Sequence, residues 1–413
     1  AGTTVLKIDS GDTAWILIST ALVMLMTPGL ALFYGGMVRS KNVLATIMHS
    51  FIAIALVSVQ WILLGYSLSF GPDVKGIIGD LSWAGLGTVG LTPNADYAPT
   101  VPHLAFMIYQ MMFAVITPAL ISGAFAERIK FSSFLIFTLV WTTIVYDPVA
   151  HWVWGAGGWL KNLGVLDFAG GIVVHATSGF SALAAALYIG KRKGFLQEHM
   201  PPHDLPMTVL GAGLLWFGWF GFNAGSALSA GSLATMAFVT THTAAVSATL
   251  TWTFVEWFHR GKPTMFGAAT GAVAGLATIT PAAGFVGPIP ALFIGMAAGV
   301  LCYIALNAKT KFKYDDSLDA FGVHGVGGAL GTIMAGVFAS VAINAAGANG
   351  LLFGNPKQLA VQIGSVSLVA VYSFVVSSGL FMIIDKVIGL RVDAEQETEG
   401  LDISQHGEAG YTH

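Results

Sequence analysis

LDFAGGIVVHATSG at residues 166–179 and LDAFGVHGVGG at residues 318–328 decide the reading of this chain. Each places an acid at the head of an apolar run, at Asp167 and Asp319, and a Val-His pair inside it. Each also has a glycine four residues after the histidine, at Gly179 and Gly328. The runs they open are long enough to cross a bilayer as helices, which takes about 20 apolar residues. Working outward, such runs lie near 12–34, 43–70, 101–126, 131–153, 168–190, 207–228, 234–258, 264–281, 287–307, 319–342 and 359–389. They are longer than the alternating segments of about ten residues that build a membrane β-barrel. The sequence therefore predicts an all-α polytopic membrane protein with eleven transmembrane helices.

Composition agrees. Only 9% of the 413 residues are charged, 55% are hydrophobic, and the mean hydropathy is +0.74. That is too little charge to cover a water-facing surface of this size. The formal net charge of -3 offers no basic field for a nucleic acid. One cysteine, Cys302, excludes an intrachain disulfide. The chain begins at Ala1, and its first residues carry no signal-peptide pattern.

Basic residues set the expected orientation, because Lys and Arg collect on the cytoplasmic side. With the N-terminus outside, 14 of the 18 lie inside, from Arg39 and Lys41 to Lys386 and Arg391. Lys7, Lys75, Lys161 and Lys357 lie outside. An odd span count then leaves the C-terminus in the cytoplasm.

His175 falls on the fifth predicted span and His324 on the tenth. Repeats of five spans have opposite orientations, which is the inverted-repeat design with a site near the midplane. The expected divisions are 1–190 and 191–342 for the two repeats, 343–389 for an outer loop and final long helix, and 390–413 for a cytoplasmic tail. The tail is too short to fold alone. It reads either as a frayed terminus or as a docking segment.

Histidines inside spans usually face a cavity or the bundle interior. A pair on a pseudo-twofold axis can share one ring hydrogen. That arrangement suits a small polar solute or a proton relay. A zinc site needs three or four protein ligands, and no such set is visible; no metal and no cofactor is expected. Nor is there a nucleophile–base pair to suggest an enzyme. Asp167 reads as a helix N-cap or as a fixed negative charge near the outer mouth, and Asp319, on the inner end of span 10, reads the same way. Trp219, Phe222 and Ser226 sit at i, i+3 and i+7, on one expected face at the outer end of span 6, with Trp154 ending span 4 nearby. Such a cluster is either an interface belt or a cation-binding surface. Gly267, Gly271 and Gly275 form a GxxxGxxxG pattern for close helix packing.

TPGLALFYGGMVRSKN (27–42), GAFAERIKF (123–131), DFAGGIVVH (167–175), WFGFNAGSA (219–227), DAFGVHGVGG (319–328) and EGLDISQHGE (399–408) together resemble the ammonium transporter family (Amt/MEP/Rh), on its prokaryotic Amt branch. The resemblance covers almost the whole chain. It implies a homotrimer in the cell membrane, with a narrow apolar pore in each subunit that moves ammonium or ammonia inward. His175 and His324 match the family's twin pore histidines. Phe113 and Phe222 match its stacked gate. Trp154 and Ser226 match its ammonium-recruitment site, and Tyr109 aligns where relatives often carry Phe. Asp167 matches the acid heading span 5. The tail and inner loops match a surface where a PII-type signalling protein plugs the pore. An ammonium sensor signalling through its tail, and an electroneutral gas channel of the Rh type, are the alternatives.

Overall fold

The computed structural model describes residues 6–411. Ten helices among these residues are long and apolar enough to cross a membrane. In chain order they are α1 (Ser10–Met37), α2 (Ser40–Phe70), α3 (His103–Phe125), α4 (Phe131–Leu163), α5 (Gly171–Ile189), α6 (Leu205–Ala227), α7 (Ser232–Arg260), α9 (Pro288–Phe312), α10 (Phe321–Phe338) and α11 (Pro356–Ile388). Between α7 and α9 lies a shorter apolar helix, α8 (Met265–Ile279). At 15 residues it rises only about 22 Å, and a buried turn over 280–285 continues its path. The run expected at 264–281 is therefore a short helix plus a turn.

Among the described residues the strands form two small antiparallel hairpins in the loop after α2, Asp73–Val74 with Ile78–Gly79 and Pro93–Asn94 with Ala98–Pro102. Everything else that positions the site is helix on helix. Glycine sets the closest approaches. A Cβ on Gly275 would lie 2.5 Å from the Ala248 Cβ, and one on Gly271 2.6 Å from that of Trp252. The glycine stripe of α8 thus packs directly on α7.

A still closer approach joins α5 and α10. A Cβ on Gly179 would fall 2.0 Å from the Gly325 backbone nitrogen, and one on Gly328 2.7 Å from both Gly171 O and the His175 Cβ. The contact is reciprocal: each glycine of the pair of motifs meets the histidine segment of the other.

Five helices contain a π-helical turn: Trp61–Gly65 in α2, Thr142–Tyr146 in α4, Gly171–Ala176 in α5, Phe220–Ala224 in α6 and Phe321–Gly325 in α10. Such turns shift the helical register by one residue and recur at functional sites. Both span histidines lie within one.

The end of the bundle that carries Arg39, Arg128, Arg192 and Arg391 is tied by a network of ions. Arg128 is fully buried and donates to Gly190 O at 2.9 Å, Ala124 O at 2.9 Å and Asp315 O at 2.6 Å. Arg192 Nε donates to Asp315 at 2.9 Å, and Glu127 accepts from Arg39 at 2.7 Å and from Arg192 at 3.3 Å. The tail is folded onto this end as two short helices, α12 (Ala394–Glu399) and α13 (Leu401–His406). Glu397 bonds Arg391 at 2.7 Å and the Lys193 N–H at 2.7 Å. Asp402 accepts the Leu44 and Ala45 N–H groups at 3.1 and 2.8 Å, capping the α2 segment. This packing is not that of a frayed end.

Burial tends to raise the Glu127 carboxyl, but Arg192 and Arg39 outweigh it and hold the group below the usual value. Asp315 is likewise held low, chiefly by Arg192, against the opposing effect of burial. A depressed folded value gives stability that is present above the unfolded value, about 4 for carboxylates, and lost as pH falls through the folded one. The contribution of Glu127 and Asp315 to the thermal midpoint in detergent should therefore hold from pH 7 to about 5 and drop below about 4. Glu127→Gln should lower the midpoint at pH 7 and flatten the acid drop; an equally steep drop would reject the network as its cause.

Candidate functional site

At the opposite end from the arginines a vestibule of about 200 Å³ opens between the spans. Its lining includes Phe106, Gln110, Phe113, Trp154, Asp167 and Ser226. Deeper lies a closed pocket of about 10 Å³, lined by His175, His324, Trp219, Phe222 and aliphatic side chains. That volume is about what a single water needs. Phe113 borders only the vestibule and Phe222 only the deep pocket. Their rings stack 4.2 Å apart with 27° between planes, so this pair is the partition between the two spaces.

Several bonds hold the vestibule wall. Trp154 Nε1 donates to the Asp167 carbonyl at 2.9 Å, and its ring stands edge-on to Phe113 at 6.0 Å. Ser226 Oγ donates to Phe222 O at 2.9 Å. The Tyr109 hydroxyl lies 2.9 Å from Gly221 O, 3.0 Å from Phe222 O and 3.2 Å from Ser226 Oγ. Tyr109 is fully buried. It stands behind the wall, where it braces Ser226 and the Phe222 backbone and packs on Phe113 at 5.0 Å.

The deep pocket contains the histidine pair. His175 Nδ1 and His324 Nδ1 are 3.2 Å apart, with rings 5.2 Å apart and 14° from parallel. One nitrogen donates and the other accepts. Among the described residues His175 Nε2 has no protein partner. Trp219 stacks on His175 at 5.5 Å, and its Nε1 donates to Thr280 Oγ1 at 2.9 Å. Trp219 and Ser226 therefore do not share a face: Trp219 lines the deep pocket and Ser226 the vestibule. The π-helical turn over Phe220–Ala224 lies between them and breaks the 3.6-residue register that predicted one face.

Asp167 determines how the histidine segment begins. One carboxylate oxygen accepts the Gly170 and Gly171 N–H groups at 2.8 and 2.6 Å, and the other accepts Ile172 and Val173 at 2.8 and 3.1 Å. All four orphan donors of the helix start are thus satisfied by one side chain. Gly170, at φ +111°, turns the chain so that the four N–H groups converge. Gln362 of α11 holds the preceding residue, accepting Leu166 N–H at 2.7 Å and donating to Leu166 O at 2.7 Å.

In α10 the corresponding cap is Asp316, not Asp319. Asp316 accepts the Ala320 and Phe321 N–H groups at 3.1 and 2.8 Å. Like Asp167, it stands eight residues before its histidine. Burial, reinforced by the neighbouring Asp319 carboxylate, pushes Asp316 up to about 6. Asp319 has φ +63° and pairs with Lys309. Alignment on the Leu-Asp dipeptides chose the wrong acid by three residues.

The sequence reading missed Gln110, whose Oε1 has no protein partner among the described residues and which lines the vestibule. It also missed Gln362. Both had a signal, since an amide inside an apolar span needs partners or a solute.

A family profile described as "Ammonium Transporter Family" matches residues 14–411. The chain is 52% identical to an ammonium transporter of Bacillus subtilis, over 97% of this chain and 98% of that one. It is 50% identical to the ammonium transporter Amt1 of Archaeoglobus fulgidus, over 98% of this chain and 100% of that one. Among solved structures, Mep2 of Candida albicans superposes with a TM-score of 0.89 at 36% identity, covering 94% of this chain and 88% of that one. A sensor Amt protein superposes with a TM-score of 0.88 at 30% identity, covering 96% of this chain and 98% of that one. This multi-pass membrane chain belongs to the ammonium transporter family.

Proposed function

We propose that this protein carries ammonium inward across the cell membrane, with recruitment in the vestibule and conduction past the histidine pair. The observation that carries the reading is the Phe113/Phe222 partition, with an aromatic and hydroxyl-lined space on one side and a histidine-lined pocket on the other. Ammonium rests against the Trp154 ring, the Ser226 hydroxyl and the Gln110 carbonyl. The Phe rings swing aside. A bare cation in the apolar deep pocket is costly, so the ion gives its proton to His175 Nε2, the pair relays it inward through the Nδ1–Nδ1 hydrogen bond to His324, and ammonia passes along the two rings. The unpartnered His175 Nε2 is available to the solute. The vestibule faces outside and the arginine-rich end faces the cytoplasm, as the Lys and Arg bias requires. There the docked tail and adjoining loops form the surface for a PII-type partner. The reciprocal contact of Gly179 and Gly328 supports two inverted halves, at 1–190 and 191–342, followed by the outer loop and long helix over 343–389 and the tail over 390–413.

Ammonium pulses on protein in liposomes test the function: a current or flux selective over potassium is expected, and none would overturn transport. The same assay separates the sensor reading, which the sensor Amt structure brings into play. A sensor would bind ammonium with little flux. Trp154→Ala and Ser226→Ala should each raise the half-saturation concentration, because a cation–aromatic contact of about 0.5–2 kcal/mol corresponds to roughly two- to thirtyfold. If neither shifts it, the vestibule is not the recruitment site.

The homotrimer that the family resemblance implies is part of this proposal, and one exposed polar side chain supports a subunit contact. His242 lies ten residues into α7, about 15 Å along its axis, and it is exposed on the single chain. A histidine facing lipid at that depth is unfavourable; a neighbouring subunit covers it. Light scattering in mild detergent should give three copies of the 43.2-kDa chain, and a monomer mass would reject the assembly.

A further inference from the structure

Asp147 lies inside α4, fully buried, and has no part in the vestibule or the deep pocket. It directly follows the π-helical turn Thr142–Tyr146. Opposite it, Gln60 directly precedes the π-helical turn of α2. Gln60 Nε2 donates to Asp147 Oδ2 at 2.7 Å and to Thr143 Oγ1 at 3.1 Å. Ser69 Oγ lies 3.3 Å from Asp147 Oδ1. Among the described residues no Lys, Arg or His is paired with this carboxyl. Among the described residues two groups beside it are buried and lack a partner, Gln60 Oε1 and the Tyr146 hydroxyl.

The one nearby candidate for a counter-charge is committed elsewhere. His151, one helical turn on from Asp147, directs Nδ1 to Ser69 O at 3.0 Å and Nε2 to Asp73 Oδ1 at 2.8 Å. Both acceptors are oxygens, so any positive charge on this ring is shared with Asp73. An ionised Asp147 would be a lone negative charge in the membrane interior, held by neutral donors. Such a charge costs several kcal/mol, and a carboxyl in that position takes up a proton instead.

We infer that Asp147, with Gln60 and Ser69, is an intramembrane proton-binding site. The proton sits on Oδ1 and is donated to Ser69 Oγ, while Oδ2 still accepts from Gln60. A metal cation does not fit the same geometry, because Gln60 already closes on Oδ2 at direct hydrogen-bond distance. Ser69 links the site to the surface: its hydroxyl meets Asp147 and its carbonyl meets His151, which grips Asp73 of the first hairpin. The titratable groups around the site are therefore Tyr146 and His151 of α4, Asp73 of the hairpin and, beyond the Tyr146 ring, Asp167.

Infrared difference spectroscopy on the protein in liposomes tests this. The wild type minus Asp147→Asn spectrum at pH 7 should show a protonated-carboxyl C=O stretch that fades reversibly at alkaline pH. Asp147→Asn should fold and keep the ammonium half-saturation concentration, since a neutral amide replaces a neutral acid. An ionised-carboxylate band in its place would overturn the proposal. So would a thermal midpoint that rises in sodium over choline for the wild type and not for Asp147→Asn, because the ligand would then be a metal cation. The infrared and thermal readouts do not depend on transport, so a failure of the transport reading leaves them intact.

Discussion

Asp167→Ala should all but abolish accumulation of folded protein in the membrane. The substitution strips the acceptor from four N–H groups at once, those of Gly170, Gly171, Ile172 and Val173. Water reaching in from the vestibule replaces it poorly, because the side chain and all four donors are buried and one water cannot accept from all four. Each unsatisfied donor costs about 1–3 kcal/mol, and the total approaches a whole folding free energy of about 5–15 kcal/mol. The Asp167 carbonyl also holds the Trp154 indole, so a displaced turn would move the vestibule wall. Asp167→Asn keeps one acceptor oxygen and should lie between. Detergent-solubilised yield and thermal midpoint measure the order wild type, Asn, Ala. An Ala variant that matches the wild type would show that the bonds to Asp167 do not hold the start of α5.

Replacing both His175 and His324 with Leu should remove selective ammonium transport while leaving the protein folded. The two rings supply the polar groups in a pocket otherwise lined by Trp219, Phe222 and aliphatic residues. A solute stripped of water there loses its hydrogen-bond partners. Losing one such bond, about 1.4 kcal/mol, is about tenfold in rate, and the double variant loses two partners. Single variants should retain part of the flux, because the remaining ring still offers a nitrogen. The measurement is ammonium current against potassium current at equal driving force. Unchanged rate and selectivity in the double variant would reject conduction past the pair.

The helices were legible because length and low charge suffice to mark a span. The stacking of His175 and His324 was legible too, since two spans carrying the same motif bring their histidines to one level. What stayed hidden depended on a one-residue shift or on distant loops. The π-helical turn at Phe220–Ala224 leaves no mark in an apolar run, so Trp219 was expected beside Ser226 and lies beside His175. The left-handed backbone at Asp319 concealed that Asp316 is the cap. Arg128 looked like one more basic residue at a span end. Its partners, Gly190 and Asp315, are 62 and 187 residues away, and only folding shows that it is fully buried. The short helix α8 was over-extended because the buried turn after it is as apolar as the helix.

The contact between Gly179 and Gly325 has a mechanical consequence. With no side chain between the two backbones there is no slack at the crossing, and a tilt of one half against the other would drive main chain into main chain. The crossing sits beside the histidine pair, so the middle of the path is a fixed bearing. On the proposed function the moving parts are the stacked rings of Phe113 and Phe222, whose displacement needs no tilt of one half against the other. On that proposal, passage is paced by the displacement of these two rings, so its speed should track temperature as a side-chain barrier does, with no large-scale closing of the bundle.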